Sequence, residues 1–531
     1  MLDLLTEAYS AKKKGGSSYI YIKTGGISNV MELNIALLAD ETPITLEECQ
    51  SLEKGHHTVE NQHLLFTSKC GAELHIVFYD DRIEVFAKNV AARKSITLCP
   101  GSWINADVVF NPSVGAIAEH YFSIHEAQRT ANNFSSPPPW FLAYRQKDGR
   151  WASSALEPEM NQLDFMDLET RTEDYSHMGV QRPKCAANGR AHIGWKINLG
   201  VRPDAFNTAD TPPMALRFGA ESEFTALQAH VDNVLRLGKV HPPKREFLDW
   251  QKGILACGWR YQVKLPRPAQ CTQQLHEDFI AMMERNGIDF DTLIIDDFWG
   301  EQHGLWEVSK DKWPDMRGFV DKLHSQGRHV LLWICTDPVG LPPEEQLYGS
   351  FNIFSEAYKQ RIALYMHKML SDEPGCLNVD GFKFDFTSQL PGKYPPGASR
   401  NMQFLYDRFK LVTDAARAVK PDCLLDYQCC NPYFAHLHNM LRLNDYFALP
   451  ENGLDEMKIR AKVAKIASYG ALIDTDHVSF NNNPYTGGMD FFREIPEYGC
   501  PSLYLQEPDM ENKELVKIVS GYKEKYLKRK K

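Results

Sequence analysis

No apolar run in this 531-residue sequence approaches the roughly 20 residues that a membrane-spanning helix needs, so no membrane partner is expected. Positive charge is not in excess either. The formal net charge of −10 argues against a nucleic-acid partner. The one basic cluster, at Lys523, Lys525, Lys528, Arg529, Lys530 and Lys531, reads as a solvated helix end. The 12 cysteines have no metal-ligand rhythm, and Cys429 and Cys430 are adjacent, so free buried thiols in a reducing cytoplasm are expected. The opening residues, Met1 to Ala8, carry acids and lack the apolar centre of an export signal, though a signal removed before this sequence begins would leave no trace. No glycine-rich phosphate loop follows any strand-like run, which counts against nucleotide binding.

What is present is a hydrophobic share of 43%, ordinary for a soluble protein, in a chain long enough for two or three domains. Residues 1–235 read as β-rich. The runs 18–23, 31–38, 73–79 and 82–87 alternate or run apolar, and Asp80 and Asp81 supply a hairpin turn. Short strands at regular spacing predict a β-sandwich. In 133–215, rich in Pro, Asn, Asp and Gly, the pattern places no strands. Residues 236–249 read as a linker. From 250 to 531 eight short apolar runs follow, at 253–261, 292–298, 329–335, 381–386, 423–429, 439–446, 471–477 and 501–507. Segments 273–285, 316–325, 355–370, 402–419 and 454–468 between them have amphipathic helical spacing, with a single turn near 433–437. This alternation predicts a (β/α)8 (TIM) barrel in preference to an open doubly wound sheet.

In such a barrel the functional side chains belong at the C-terminal ends of the strands. The fourth run, Val-Asp-Gly-Phe-Lys-Phe-Asp-Phe (379–386), puts Lys383 and Asp385 on one face of a buried strand. The sixth ends with Arg442 and Asp445. The other runs offer Trp259, Arg260 and Tyr261; Asp296, Asp297 and Trp299; Trp333 and Asp337; Asp426, Tyr427 and Cys429; and Asp474, Asp476 and His477. Acids and aromatics with two cations at one mouth suit a carbohydrate, because carboxylates accept from hydroxyls and indole faces pack on sugar rings. Lys383 with Asp385 could also be a structural ion pair, and Asn-Asp at 444–445 is also turn chemistry. Only one of Asp296 and Asp297 can face the barrel axis; the other braces a loop. Trp306 and Trp313 either pack the loop or stack on substrate. Cys429 either lines the pocket or is a small buried residue. Asp474, Asp476 and His477 lack a second histidine cluster, so hydrogen bonding is preferred to a metal there.

These motifs resemble the clan of retaining α-glycosidases formed by glycoside hydrolase families 27, 31 and 36, most closely the α-galactosidases (melibiases) of family 36. The resemblance spans roughly 250–510. It rests on Ile-Ile-Asp-Asp-Phe-Trp (294–299), the Trp-Glu-Val to Trp-Pro-Asp-Met stretch (306–316), Lys383 with Asp385, Cys429, and Arg442 with Asp445. The resemblance implies Asp385 as nucleophile and Asp445 as acid/base. It implies Asp296, Asp297, Lys383, Arg442, Trp259, Trp299, Trp333 and Cys429 as substrate-binding residues, with no metal or organic cofactor. The sequence departs from the family pattern in three ways. Gly-Leu-Trp (304–306) stands where the family has Gly-Asp-Trp, Arg-Leu-Asn-Asp (442–445) is tighter than the usual motif, and a C-terminal β-domain is expected to be absent. The barrel flank left exposed favours homo-oligomerisation.

The implied activity is exo-hydrolysis of a glycoside or oligosaccharide with retention, for which the two carboxyl groups should lie roughly 5–5.5 Å apart. A family 31-type α-glucosidase or α-xylosidase suits Asp-Gly-Phe-Lys-Phe-Asp-Phe almost as well, and a non-catalytic sugar-binding barrel is the alternative of a different class.

Overall fold

The computed structural model describes residues 2–7, 18–24, 31–47, 55–58, 63–113, 120–124, 128–129, 137–172, 175–178, 180, 192–202, 208–335, 337–387, 389–443, 453–476 and 488–529. Two antiparallel sheets, of ten and eight strands among these residues, form the N-terminal sandwich. The Asp80-Asp81 turn is present: Glu73–Phe78 pairs with Ile83–Lys88, and Tyr79 N donates to Arg82 O at 2.9 Å. Strands Phe141–Gln146, Trp151–Leu156, Asp167–Thr172 and Ile193–Asn198 occupy the stretch where the sequence pattern placed none. Their buried residues include Ser, Thr and Gly, so no apolar alternation marks them. A polar pin joins the sheets. Tyr144 Oη meets Ser154 Oγ at 2.8 Å and Thr170 Oγ1 at 2.7 Å and accepts from Trp195 Nε1 at 3.0 Å, all buried.

Helix α1 (Glu223–Arg236), unanticipated in a region read as β-rich, starts at Ser222, whose Oγ accepts from Thr225 N at 3.1 Å. Its apolar face carries Ala226, Leu227, Val231 and Val234, and its His230 and Asn233 reach Glu157 at 3.0 and 2.6 Å. Arg217 completes the cluster at 2.7 Å from Glu157. After α1 an extended segment leads to the barrel. Within it Arg245 donates to the carbonyls of His438 and Ala435, each at 2.6 Å, and to Ser468 O at 2.9 Å, latching the segment to the barrel.

The barrel strands are β1 (Leu255–Cys257), β2 (Thr292–Ile295), β3 (His329–Cys335), β4 (Gly381–Asp385), β5 (Leu424–Tyr427), β6 (Met440–Arg442), β7 (Leu472–Asp474) and β8 (Ser502–Leu503). From β1 to β7 each strand pairs in parallel with the next, β8 pairs in parallel with β1, and an isolated parallel bridge from Asp474 to Cys500 closes the ring. Helices α2 (Gln273–Arg285), α3 (Met316–Ser325), α4 (Glu356–Leu370), α5 (Asn401–Val419), α6 (Gly453–Ala467) and α7 (Gly488–Glu494) cover the outside, and one 3-10 turn, Pro432–Phe434, joins β5 to β6. Inside, Leu255, Ile294, Leu331, Leu424 and Met440 form an apolar layer beneath the strand ends. The sandwich seats on the barrel through Tyr433 Oη to Pro158 O at 2.9 Å and Asn431 Nδ2 to Pro138 O at 2.8 Å.

Glu157 is fully buried. Desolvation pushes its carboxyl up, but His230 and Arg217 outweigh this and hold it down at about 2. A depressed acid stabilises the fold above its ordinary pKa near 4.5, and that contribution is lost as pH falls towards about 2. Glu157→Gln strands Arg217 and is expected to lower the unfolding free energy by about 3 kcal/mol at pH 7 in urea titrations. The gap between variant and parent should narrow as pH falls from 4.5 towards 2.

Candidate active site

At the C-terminal ends of the strands the apolar layer gives way to a polar one. Lys383 on β4 is buried, and its Nζ donates to Asp296 Oδ2 at 2.6 Å and to Tyr504 Oη at 2.8 Å. Asp296 also accepts from the Cys257 thiol at 3.1 Å. Burial raises the Asp296 pKa, but Lys383 outweighs it and the group is held below its ordinary value. Arg442 on β6 grips Asp476 Oδ2 from Nε at 3.1 Å and Nη2 at 2.7 Å, and its Nη1 donates to Phe384 O at 3.1 Å. Tyr504 Oη donates to Asp476 Oδ1 at 2.9 Å and so joins the two ion pairs. Asp426 on β5 lies against Asp474 on β7. Burial raises both, helped by the Asp474 charge at Asp426 and by the Asp476 charge at Asp474, which is pushed up to about 6, so this pair holds a proton near neutrality.

Asp385 ends β4 in a different situation. Its Oδ2 accepts from Trp333 Nε1 at 3.1 Å, its Oδ1 accepts from Phe386 N at 2.9 Å, and the Arg442 guanidinium stands 3.6 Å away. Its side chain remains 20% exposed, unlike the buried Asp296, Asp426, Asp474 and Asp476. Beside it opens a cavity of about 580 Å3, lined among others by Trp299, Trp306, Trp333, Asp297, His303 and Phe386. The loop after β2 builds most of the wall. Gly304, at φ +81°, lets that loop approach the next one; a Cβ there would meet Asp337 O at 2.9 Å.

His303, which the sequence reading did not single out, joins Arg267 as a cation of this wall. Its Nε2 lies 2.7 Å from Asp297 Oδ1, its Nδ1 lies 3.5 Å from Asp337 Oδ2, and its ring tilts against Trp333 with centroids 5.4 Å apart. The hydrogen bond to Asp297, then the Cys335 thiol, push the imidazole up to about 11. Only its place in the loop after the Asp296-Asp297 pair could have marked it in the sequence.

The adjacent aspartates divide their duties: Asp296 turns inward and Asp297 lines the cavity. Lys383 therefore lies against Asp296 rather than forming an ion pair with Asp385. Trp299 and Trp333 line the cavity, Trp299 anchored by Nε1 to Trp333 O at 2.7 Å. Trp306 belongs to the wall with its indole N–H buried and unpartnered, whereas Trp313 is buried against His276. Trp259 sits on a short helix, Trp259–Gln262, tilted over Phe298 at 6.1 Å, and is not part of the cavity wall. Cys429 is buried away from that wall, its thiol raised by desolvation. Asp445 and His477 lie outside the described residues, as does the separation of Asp385 from Asp445.

Residues 247–400 match the family model of the glycosyl hydrolases family 31 TIM-barrel domain. No curated protein sequence matches the chain. Among solved structures, the cycloalternan-degrading enzyme from Trueperella pyogenes is similar at 13% identity and TM-score 0.55, over 97% of this chain and 82% of that one. A further structure of that enzyme holds a covalent intermediate. The α-galactosidase from Lactobacillus brevis is similar at 12% identity and TM-score 0.51, over 95% of this chain and 74% of that one. The family 36 α-galactosidase from Geobacillus stearothermophilus, in complex with stachyose, is similar at 12% identity and TM-score 0.51, over 98% and 77%. The resemblance read in the sequence, to the clan holding families 31 and 36, therefore stands, and the matching family model is that of family 31. Together these findings support a glycosidase.

Two measurements check the electrostatics. Lys383→Met leaves Asp296 buried without its counter-ion and should cost about 3–5 kcal/mol of stability, with Lys383→Met/Asp296→Asn recovering part of it in urea titrations. For His303, a raised folded pKa means that its ion pair contributes fully below the ordinary 6.5 and is lost as pH rises through about 11. NMR of labelled histidine should find this imidazole still protonated at about pH 8, where ordinary histidines are neutral.

Proposed function

We propose that the protein is a retaining exo-acting α-glycosidase that removes terminal α-linked sugars by double displacement, with α-galactosides as the first substrates to test. The observation that carries this reading is the Asp385 carboxylate, partly exposed at the end of β4 beside an aromatic-walled cavity. That carboxylate attacks the anomeric carbon while Asp445 protonates the leaving oxygen, giving a glycosyl ester and an alcohol. Asp445 then takes a proton from water, whose oxygen displaces Asp385 and restores the carboxylate. The covalent intermediate held by the structurally similar cycloalternan-degrading enzyme supports this two-step course.

Arg442 and Trp333 orient the Asp385 carboxylate, and Arg442 can move no proton of its own because Asp476 and Asp385, outweighing burial, hold its guanidinium well above the ordinary range. Asp297 and Asp337 accept from sugar hydroxyls, and His303, with Nε2 on Asp297 and Nδ1 facing Asp337, holds the two carboxylates in place. Trp299, Trp306 and Trp333 give the ring an apolar wall. Lys383 and Asp296 act on substrate only through the scaffold they build, and Trp259 and Cys429, which lie outside that wall, are given no substrate contact.

A family 31-type α-glucosidase or α-xylosidase is the second reading. It is favoured by the family model matched over 247–400 and by Leu305 at the position where family 36 enzymes carry an aspartate. A panel of aryl α-galactoside, α-glucoside, α-xyloside and N-acetyl-α-galactosaminide separates the two. Asp385→Ala is expected to lower kcat by at least ~1000-fold and azide to restore turnover with an inverted glycosyl azide as product. Wild-type protein inert on the whole panel would leave only the sugar-binding alternative.

A further inference from the structure

Far from this site, at the N-terminal end of the barrel, three metal-ligating side chains converge. His324 lies in the last turn of α3, His329 opens β3, and Asp380 immediately precedes β4. His324 Nε2 is 2.8 Å from Asp380 Oδ2, and His329 Nδ1 is 3.3 Å from Asp380 Oδ1. The three ligand atoms lie within 4.8 Å of one another. We propose that His324, His329 and Asp380 bind a divalent cation of the zinc class, which staples α3, β3 and β4 together.

Ligand atoms about 3.3 Å apart are what a tetrahedral ion with bonds near 2.0 Å requires; the two histidine–carboxylate separations are 2.8 and 3.3 Å, and all three ligand atoms lie within 4.8 Å. His329 Nδ1 is buried and, at 3.3 Å from Asp380 Oδ1, faces the carboxylate without well-aligned hydrogen-bond geometry. Two imidazoles and one carboxylate select zinc, cobalt or nickel over magnesium or calcium, which prefer all-oxygen sets. Three protein ligands leave a fourth position for water.

The surroundings fix the ligands. Trp250 stacks on the His329 ring at 4.1 Å and 16°, and Val330 N donates to Asp380 Oδ2 at 2.9 Å, which sets the carboxylate plane. Both imidazole side chains keep about a quarter of their surface exposed, at 24% and 26%, so an ion can enter from solvent. One cation competes. Lys420 Nζ stands 3.8 Å from Asp380 Oδ1, tethered to Val379 O at 2.6 Å and Asn378 Oδ1 at 3.1 Å. It balances Asp380 when no ion is bound and weakens binding by like-charge repulsion. Strands β3 and β4 carry Trp333 and Asp385 at their other ends, so the ion would brace the active-site strands from below without entering the chemistry.

The test uses the full chain stripped with chelator, titrated with Zn2+ by calorimetry and with Co2+ by visible absorption at neutral pH. One equivalent is expected to bind with Kd below ~100 μM. Co2+ should show the intense d–d bands of a four- or five-coordinate site, and Tm should rise with Zn2+ concentration. His324→Gln, on the outer helix, should weaken binding by at least ~10-fold, and Lys420→Met should tighten it. Absence of saturable binding below ~1 mM, or binding that His324→Gln leaves unchanged, overturns the proposal.

Discussion

The pairing of Lys383 with Asp296 across the barrel is the interaction on which the rest of the mouth depends. A buried ammonium and a buried carboxylate each cost several kcal/mol to desolvate, and only their close approach at 2.6 Å offsets this. From that pair the network spreads through every strand. Cys257 of β1 donates to Asp296 after β2, and Lys383 of β4 donates to Tyr504 after β8. Tyr504 meets Asp476 after β7, which holds Arg442 of β6. Trp333 of β3 returns to Asp385 of β4, while Asp426 of β5 shares its proton with Asp474 of β7. The layer below is apolar and sequence-tolerant; this one is not, because removing Lys383 or Asp296 strands a buried charge that cannot reach water.

The same carboxylates also turn the chain. Asp297 Oδ1 accepts from Phe298 N at 2.6 Å, Asp385 Oδ1 from Phe386 N at 2.9 Å, and Asp474 Oδ1 from Asp476 N at 2.7 Å. Phe298, Phe386 and Asp476 all have positive φ, at 77°, 46° and 47°. Such conformations cost about 1–3 kcal/mol each in a residue with a side chain and persist where the surroundings over-determine them. Here the preceding acid supplies the restraint. The outcome is functional in the proposed reading: the bend after β4 swings Phe386 outward to the cavity rim, half exposed, and leaves Asp385 as the last strand residue facing the mouth.

Much of this was legible in the sequence, for a physical reason. Barrel strands and their covering helices each carry a local periodicity, so α2 and α3 emerge at the expected bounds and all eight strands fall within the expected runs. The sandwich strands at 141–198 were not legible, because they bury Ser, Thr and Gly beside a few large aromatics. Partners were less legible than positions. Lys383 and Asp385 share a face as the two-residue period demands, yet the ammonium found Asp296, 87 residues away, since only closure of the ring brings β2 and β4 opposite each other's ends. His303 escaped for a similar reason: a loop histidine becomes a wall cation only when Asp297 and Asp337 fold to either side of it.

That distribution of partners is why Asp385, among several acids at the mouth, suits the role of nucleophile proposed for it. Lys383 is held by Asp296 at 2.6 Å, Arg442 by Asp476 at 2.7 Å, and His303 by Asp297 at 2.7 Å. Each cation thus has a carboxylate closer than Asp385, which is left with an indole N–H, its neighbour's backbone and a guanidinium at 3.6 Å. A carboxylate locked in a short ion pair would have to break that pair to attack carbon, adding its cost to the barrier. Asp385 is steadied by directional but looser contacts, so its carboxylate is available without that loss. The short pairs around it keep the scaffold rigid, and the long contact leaves the proposed nucleophile free.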